Sequence, residues 1–159
     1  MLKRGGINLA NLKMLMAYFC KYYPYKDDIS KARLNKMIYL ADWKSAIESG
    51  SQLSEIHWLY NNYGPYVNEV ANLARNDDWF VIYNTYNSLG HKKNIIYINN
   101  YVQDSDIILS DVHQTMIRQR QRLINLQFLK RGNWKSLMKT LKNMNLIFTW
   151  NLMIVNGKD

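Results

Sequence analysis

Histidine is where acid–base, nucleophile-activating or metal chemistry would have to start, and this 159-residue chain has three: His57, His91 and His113. None stands at metal-ligand spacing from another ligand, and no HExxH, CxxC, GxSxG or glycine-rich phosphate loop occurs. Cys20, Cys-His-Asn fashion, would need His57 with Asn61 or Asn62 to imitate a thiol hydrolase. The plainer reading is a small buried hydrophobe, because Cys20 lies within an apolar helical pattern and nothing near it in sequence would depress its pKa. Asp42, Glu48, Glu55 and Glu69 are the carboxylates available for general acid and base work, and they read more simply as helix-surface charges. The residue types therefore predict no enzyme, no metal, no cofactor and no small-molecule substrate. The unusual feature is the crowding of Tyr39, Trp43, Trp58, Tyr60, Tyr63 and Tyr66 into one stretch. These are large side chains with a polar tip, the types most enriched at protein interfaces.

The elements that must position them follow from periodicity. Leu34, Met37, Ile38 and Ala41 recur at i, i+3, i+4 and i+7, which predicts a helix over about 30–49 with that face inward and Lys31, Asn35 and Asp42 off it. Asp27, Asp28 and Ser30 supply cap-type residues and favourable charge at its start, and Gly50 a left-handed stop at its end. Tyr63-Gly64-Pro65-Tyr66 reads as a chain reversal opening a further helix, with Gly64 as N-cap and Pro65 at the first helical position, followed by Val67, Val70 and Ala74 up to Arg75. Upstream, Asn8 caps a helix with Leu9, Leu12, Leu15 or Met16, and Phe19 as its stripe. The segment Ile56 to Tyr60 reads as a short extended piece. Trp79 to Tyr86 and Asn94 to Tyr101 have strand composition and a Gly-containing loop between them, which predicts an antiparallel hairpin that needs helices beneath it. Beyond Ser110 two more helices are expected, one with Val112, Met116 and Leu123 inward and one with Trp134, Leu137, Met138, Leu141 and Met144 inward. The predicted class is α+β, a compact, mostly helical domain with a small antiparallel hairpin.

The residues Leu34-Asn35-Lys36-Met37-Ile38-Tyr39-Leu40-Ala41-Asp42, then Gly50, then Tyr63-Gly64-Pro65-Tyr66-Val67, form the pattern LxKxxYLAD, a glycine and YGPxV. It resembles the Panacea domain, the SocA-like family of bacterial and phage antitoxins, over roughly residues 8–117. The resemblance implies a helical domain that binds and silences a toxin encoded beside it, by steric cover of the toxin's active or substrate-binding surface. It implies a toxin contact on the exposed side of the motif, with Lys36, Tyr39, Asp42, Trp43, Tyr63 and Tyr66 as candidates. On the helix, Lys36, Tyr39 and Trp43 lie at i, i+3 and i+7, a stripe beside the core face. Gly64 and Pro65 are expected to be structural.

Length and charge bound the rest. A chain of this size is normally one domain, 1–159, and folding buries about 70% of its unfolded surface, so neither disulfide nor metal is required. One cysteine fits a reducing cytoplasm, and no uninterrupted apolar run approaches membrane-spanning length, so a soluble cytoplasmic protein with no membrane partner is expected. The net charge is +9, and it is concentrated: Met1 to Asp111 carries 12 Lys+Arg against 11 Asp+Glu, whereas Val112 to Asp159 carries 9 against 1. The divergent basic region, 118–159, places Arg118, Arg120, Arg122, Lys135, Lys139 and Lys142 along amphipathic patterns. That supports an alternative, a nucleic-acid-binding module that neutralises phosphates through the basic C-terminal third. The same charges could instead meet an acidic protein partner.

Overall fold

A computed structural model describes residues 9–54, 56–61 and 64–109, and they form an α+β arrangement organised around one helix. In chain order these residues give α1 (Leu9–Tyr22), a single 3-10 turn (Lys26–Asp28), α2 (Lys31–Ser49), β1 (Leu59–Asn61), β2 (Gly64–Tyr66), α3 (Glu69–Asn76), β3 (Phe80–Tyr86), β4 (Lys92–Ile98) and a second 3-10 turn (Asp104–Asp106). The strands make two antiparallel pairs, β1 with β2 and β3 with β4. The expected helix pair beyond Ser110 lies outside the described residues.

The central helix ends where its sequence predicts. Ser30 Oγ accepts from the Arg33 N–H at 3.2 Å, and Gly50, at φ 78°, closes the last turn by donating its N–H to Ala46 O at 3.0 Å. Between these caps α2 touches α1, α3, β2 and β4, so it is enclosed on most sides. Leu34, Met37, Ile38 and Ala41 are buried as the periodicity requires, but so are Asn35, Tyr39, Leu40, Asp42, Trp43 and Ser45. A helix buried nearly all round has no broad polar face, and placing Asn35 and Asp42 off the core face is corrected on that ground.

Around α2 the remaining elements close the core. α1 turns Leu12, Leu15, Met16 and Phe19 inward, with Leu9 exposed at its start. Its Cys20 Sγ reaches Ile96 O on β4 at 3.7 Å. The predicted hairpin is present, paired from Phe80 with Ile98 to Tyr86 with Lys92, so its second strand begins two residues before Asn94 and the loop is shorter. The free edge of β4 is then sealed by the chain ahead of α2, where Ile29 O accepts from the Ile96 N–H at 2.9 Å and Ser30 bridges to Ile95. Asp27 and Asp28 pin the same strand from outside, through Tyr97 Oη at 2.8 Å and Lys93 Nζ at 3.2 Å.

The Gly-Pro segment is the second correction. Gly64 and Pro65 are not a helix start but the first two residues of β2, with Tyr60 opposite Pro65 and Leu59 opposite Tyr66. Gly64 has φ 110°, a backbone region that side chains disfavour and that no helical N-cap adopts. Pro65, lacking an N–H, is compatible with the short edge strand it occupies. Helix α3 begins only at Glu69, and Asn68 ahead of it spends its side chain on the Tyr66 hydroxyl at 2.8 Å rather than on a cap. Val67, Val70 and Ala74 are nonetheless buried together, so the expected core spacing survives the change of element.

Candidate functional site

Two polar side chains on α2 hold the segment that follows it. Asp42 is completely buried and its carboxylate meets four donors. Oδ1 accepts the Leu53 N–H at 3.0 Å and the Ser54 N–H at 2.8 Å, while Oδ2 accepts the Trp58 indole N–H at 2.9 Å and the Ser54 hydroxyl. A buried carboxylate is tolerated when its lone pairs are filled in this way. Burial pushes the Asp42 carboxyl above its ordinary value, and the bonds from Ser54, Trp58 and Leu53 pull in the opposite direction. Tyr39 lies edge-on to the same indole, ring centres 5.2 Å apart, and so helps fix Trp58 in place.

Seven residues earlier, Asn35 performs the corresponding task at the other end of the segment. It is 3% exposed, donates Nδ2–H to Lys31 O at 3.1 Å and accepts the Val67 N–H on Oδ1 at 3.2 Å. Positions i and i+7 lie on one side of a helix. Asn35 and Asp42 therefore clasp the two ends of the 53–67 segment, and the β1–β2 pair lies between the clasps. Sequence reasoning missed Ser54, the indole role of Trp58 and both clasps. The available signal was an Asn and an Asp seven apart within a run as apolar as Leu34 to Trp43, where a polar residue must bring a buried partner with it.

The candidate contact residues separate on this geometry. Tyr39, Asp42 and Trp43 are buried, so of the Lys36, Tyr39 and Trp43 stripe on α2 only Lys36 reaches the surface, because the helix carries neighbours on that side too. Tyr63 lies outside the described residues, as do Arg118, Arg120, Arg122, Lys135, Lys139 and Lys142. Lys36 and Tyr66, half-buried, come together on the rim of a shallow groove with a volume of about 160 Å³, lined also by Lys31, Ala32, Asn35, Gly64 and Pro65. Its floor is largely apolar and its rim carries two ammonium groups. Lys36 is held below the ordinary lysine range, first by burial and then by the nearby charge of Arg33. A negative charge placed beside it would favour its charged form and offset both effects. Asn35, whose amide is already bonded on both sides, supplies wall rather than a spare donor.

Elsewhere the side chains considered for catalysis are occupied otherwise. The Cys20 thiol is buried and pushed up to about 12 by that burial, so it stays protonated, and His57 is exposed. Glu48 pairs with Lys44 one helical turn away, and Glu55 lies outside the described residues. Among the described residues no group of three or more His, Cys, Asp or Glu side chains is placed to hold a metal ion, and no helix is long and apolar enough to cross a membrane.

Comparison with known families gives a match to the model described as antitoxin SocA-like, Panacea domain, over residues 34–140. No curated protein and no solved structure matches the chain. The match opens at Leu34, the first residue of the α2 motif, and runs past residue 117 to take in Arg118, Arg120, Arg122, Lys135 and Lys139, leaving Lys142 outside.

Proposed function

The chain belongs to the SocA-like Panacea family of antitoxin-like domains, and from that premise we propose that it neutralises a cognate protein toxin by direct contact. The observation that carries this reading is the groove between the start of α2 and β2. The motif residues Asn35 and Asp42 are used up in holding the chain, and what is offered outward is a groove in which Lys31, Lys36 and Tyr66 stand beside the apolar Ala32 and Pro65. Cationic and aromatic groups around an apolar recess suit the side chains of an acidic protein segment, which would lay an Asp or Glu against the two lysines. Such a contact places the whole domain as a steric cover over the toxin. The charge pattern also favours fast encounter with an acidic partner.

The test is co-expression with the product of the adjacent reading frame. The expected result is a neighbour that arrests growth alone, is harmless beside this chain, and co-purifies with it. A neighbour that is harmless alone, combined with tight and salt-sensitive binding of the chain to duplex DNA or RNA, would instead support the module acting through Arg118, Arg120, Arg122, Lys135, Lys139 and Lys142.

A further inference from the structure

The two edges of the β3–β4 hairpin are treated differently. In this register the pairs Trp79–Asn99 and Asn87–His91 are hydrogen-bonded, with Asn99 N–H on Trp79 O at 2.7 Å and Asn87 N–H on His91 O at 2.9 Å. Odd-numbered residues of β3 therefore face β4, and even-numbered residues turn their N–H and C=O outward. On β4 the outward groups of Ile96, at the middle of the strand, are covered, since Ile96 donates to Ile29 and accepts from Cys20. On β3 they are not. Phe80 has its N–H on Asp77 O at 3.2 Å, but among the described residues Ile82, Asn84 and Tyr86 have no main-chain partner on that side. Three donor–acceptor sets thus stand in a row, about 7 Å apart.

Among the described residues the edge carries none of the devices that normally keep sheet edges apart. Phe80–Tyr86 reads FVIYNTY, with no charge, no proline and no glycine, and the strand pairs without a bulge over all seven residues. Tyr83 and Tyr86 are 64% and 65% exposed, and Tyr83 packs edge-on against Tyr97 at 5.7 Å, which stiffens the strand's outer face.

We propose that β3 is the pairing edge of a two-fold symmetric dimer of this chain, antiparallel and centred on Asn84. The three open positions are symmetric about Asn84, so a second copy matches them with no residue left over: Ile82 opposite Tyr86 of the partner copy, and Asn84 opposite itself. A neutral strand meets its own copy without like-charge repulsion. The hairpin tip, with Lys92 and Lys93, falls at opposite ends of the resulting four-stranded sheet, so the copies' lysines are kept apart. The surface is separate from the groove beside α2 and does not depend on the antitoxin reading.

The test is sedimentation equilibrium on the full chain, with Asn84→Lys and Asn84→Glu made as single variants. Asn84 is exposed and its side chain supports nothing, so both variants should melt like the parent. The parent should dimerise with rising concentration. Each variant alone should dimerise at least about fivefold more weakly, since like charges then sit face to face, and an equimolar mixture should return to dimer mass as Lys meets Glu. A parent that is monomeric at every concentration, its edge left to an extended segment of another protein, overturns the proposal. Variants that dimerise like the parent, or a mixture that stays monomeric, overturn it as well.

Discussion

The two halves of α2 use the same device to different ends. In the C-terminal half Asp42 draws Leu53, Ser54 and Trp58 down onto the helix, Tyr39 braces the indole, and nothing is left open. In the N-terminal half Asn35 draws down Val67, yet the strand it secures stands off far enough to leave a groove rimmed by Lys31, Lys36 and Tyr66. One end is sealed by an ionisable group with four donors. The other is held by a neutral amide and remains accessible. The comparison teaches that the most conspicuous residues of the motif, the buried Tyr39, Asp42 and Trp43, make the scaffold, and that the groove beside them is built by less conspicuous neighbours.

The sharpest way to break the sealed half is Asp42→Ala. It leaves two backbone N–H groups, a hydroxyl and an indole N–H buried without an acceptor, and should lower unfolding free energy by roughly 3–4 kcal/mol in urea titration. Next is Gly64→Val, which forces a β-branched residue into φ 110° at the mouth of the groove. It should cost about 2 kcal/mol by the same measurement. Asn35→Ala should cost less, about 1–2 kcal/mol, because it orphans a single buried N–H, that of Val67. If Asn35→Ala proved the more damaging of the two clasps, the contrast between the halves would be reversed.

A fourth prediction concerns pH. The folded-state value of Asp42 is raised, so above the ordinary carboxylate value of 3.8 the folded chain keeps a proton that the unfolded chain has released. Its contribution is therefore fully present below that value and declines as pH rises through the raised one. Asp42→Asn removes this titration. The stability of the parent relative to Asp42→Asn, followed by thermal melting from acid upward, should fall over that window and then level off.

Much of the architecture was legible because it rests on local rules. The Ser30 and Gly50 caps, the α2 core spacing and the hairpin all follow from residue types at short range, and all are present. The Gly64-Pro65 segment was misread because the same two residues suit a helix start and an edge strand, and the choice was made by pairing with Leu59 to Asn61, a contact that periodicity does not encode. Which of the candidate site residues are exposed was not legible for a related reason. Whether Tyr39, Asp42 and Trp43 look outward depends on how many neighbours α2 has, and a helical wheel assumes one. Lys31 was legible only as an off-face charge, because the groove beside it is created by β2 lying across the helix.

The central claim, that the accessible half of α2 binds the partner while the sealed half only holds the fold, is tested most directly by the double variant Lys31→Glu/Lys36→Glu. Lys31 and Lys36 are both half-buried, so melting is followed beside rescue and separates a lost contact from a lost fold. Growth rescue against the toxin should be lost, since an acidic segment would then meet two carboxylates in place of two ammonium groups. A double variant that melts like the parent and still rescues growth to the parent's level would contradict the account.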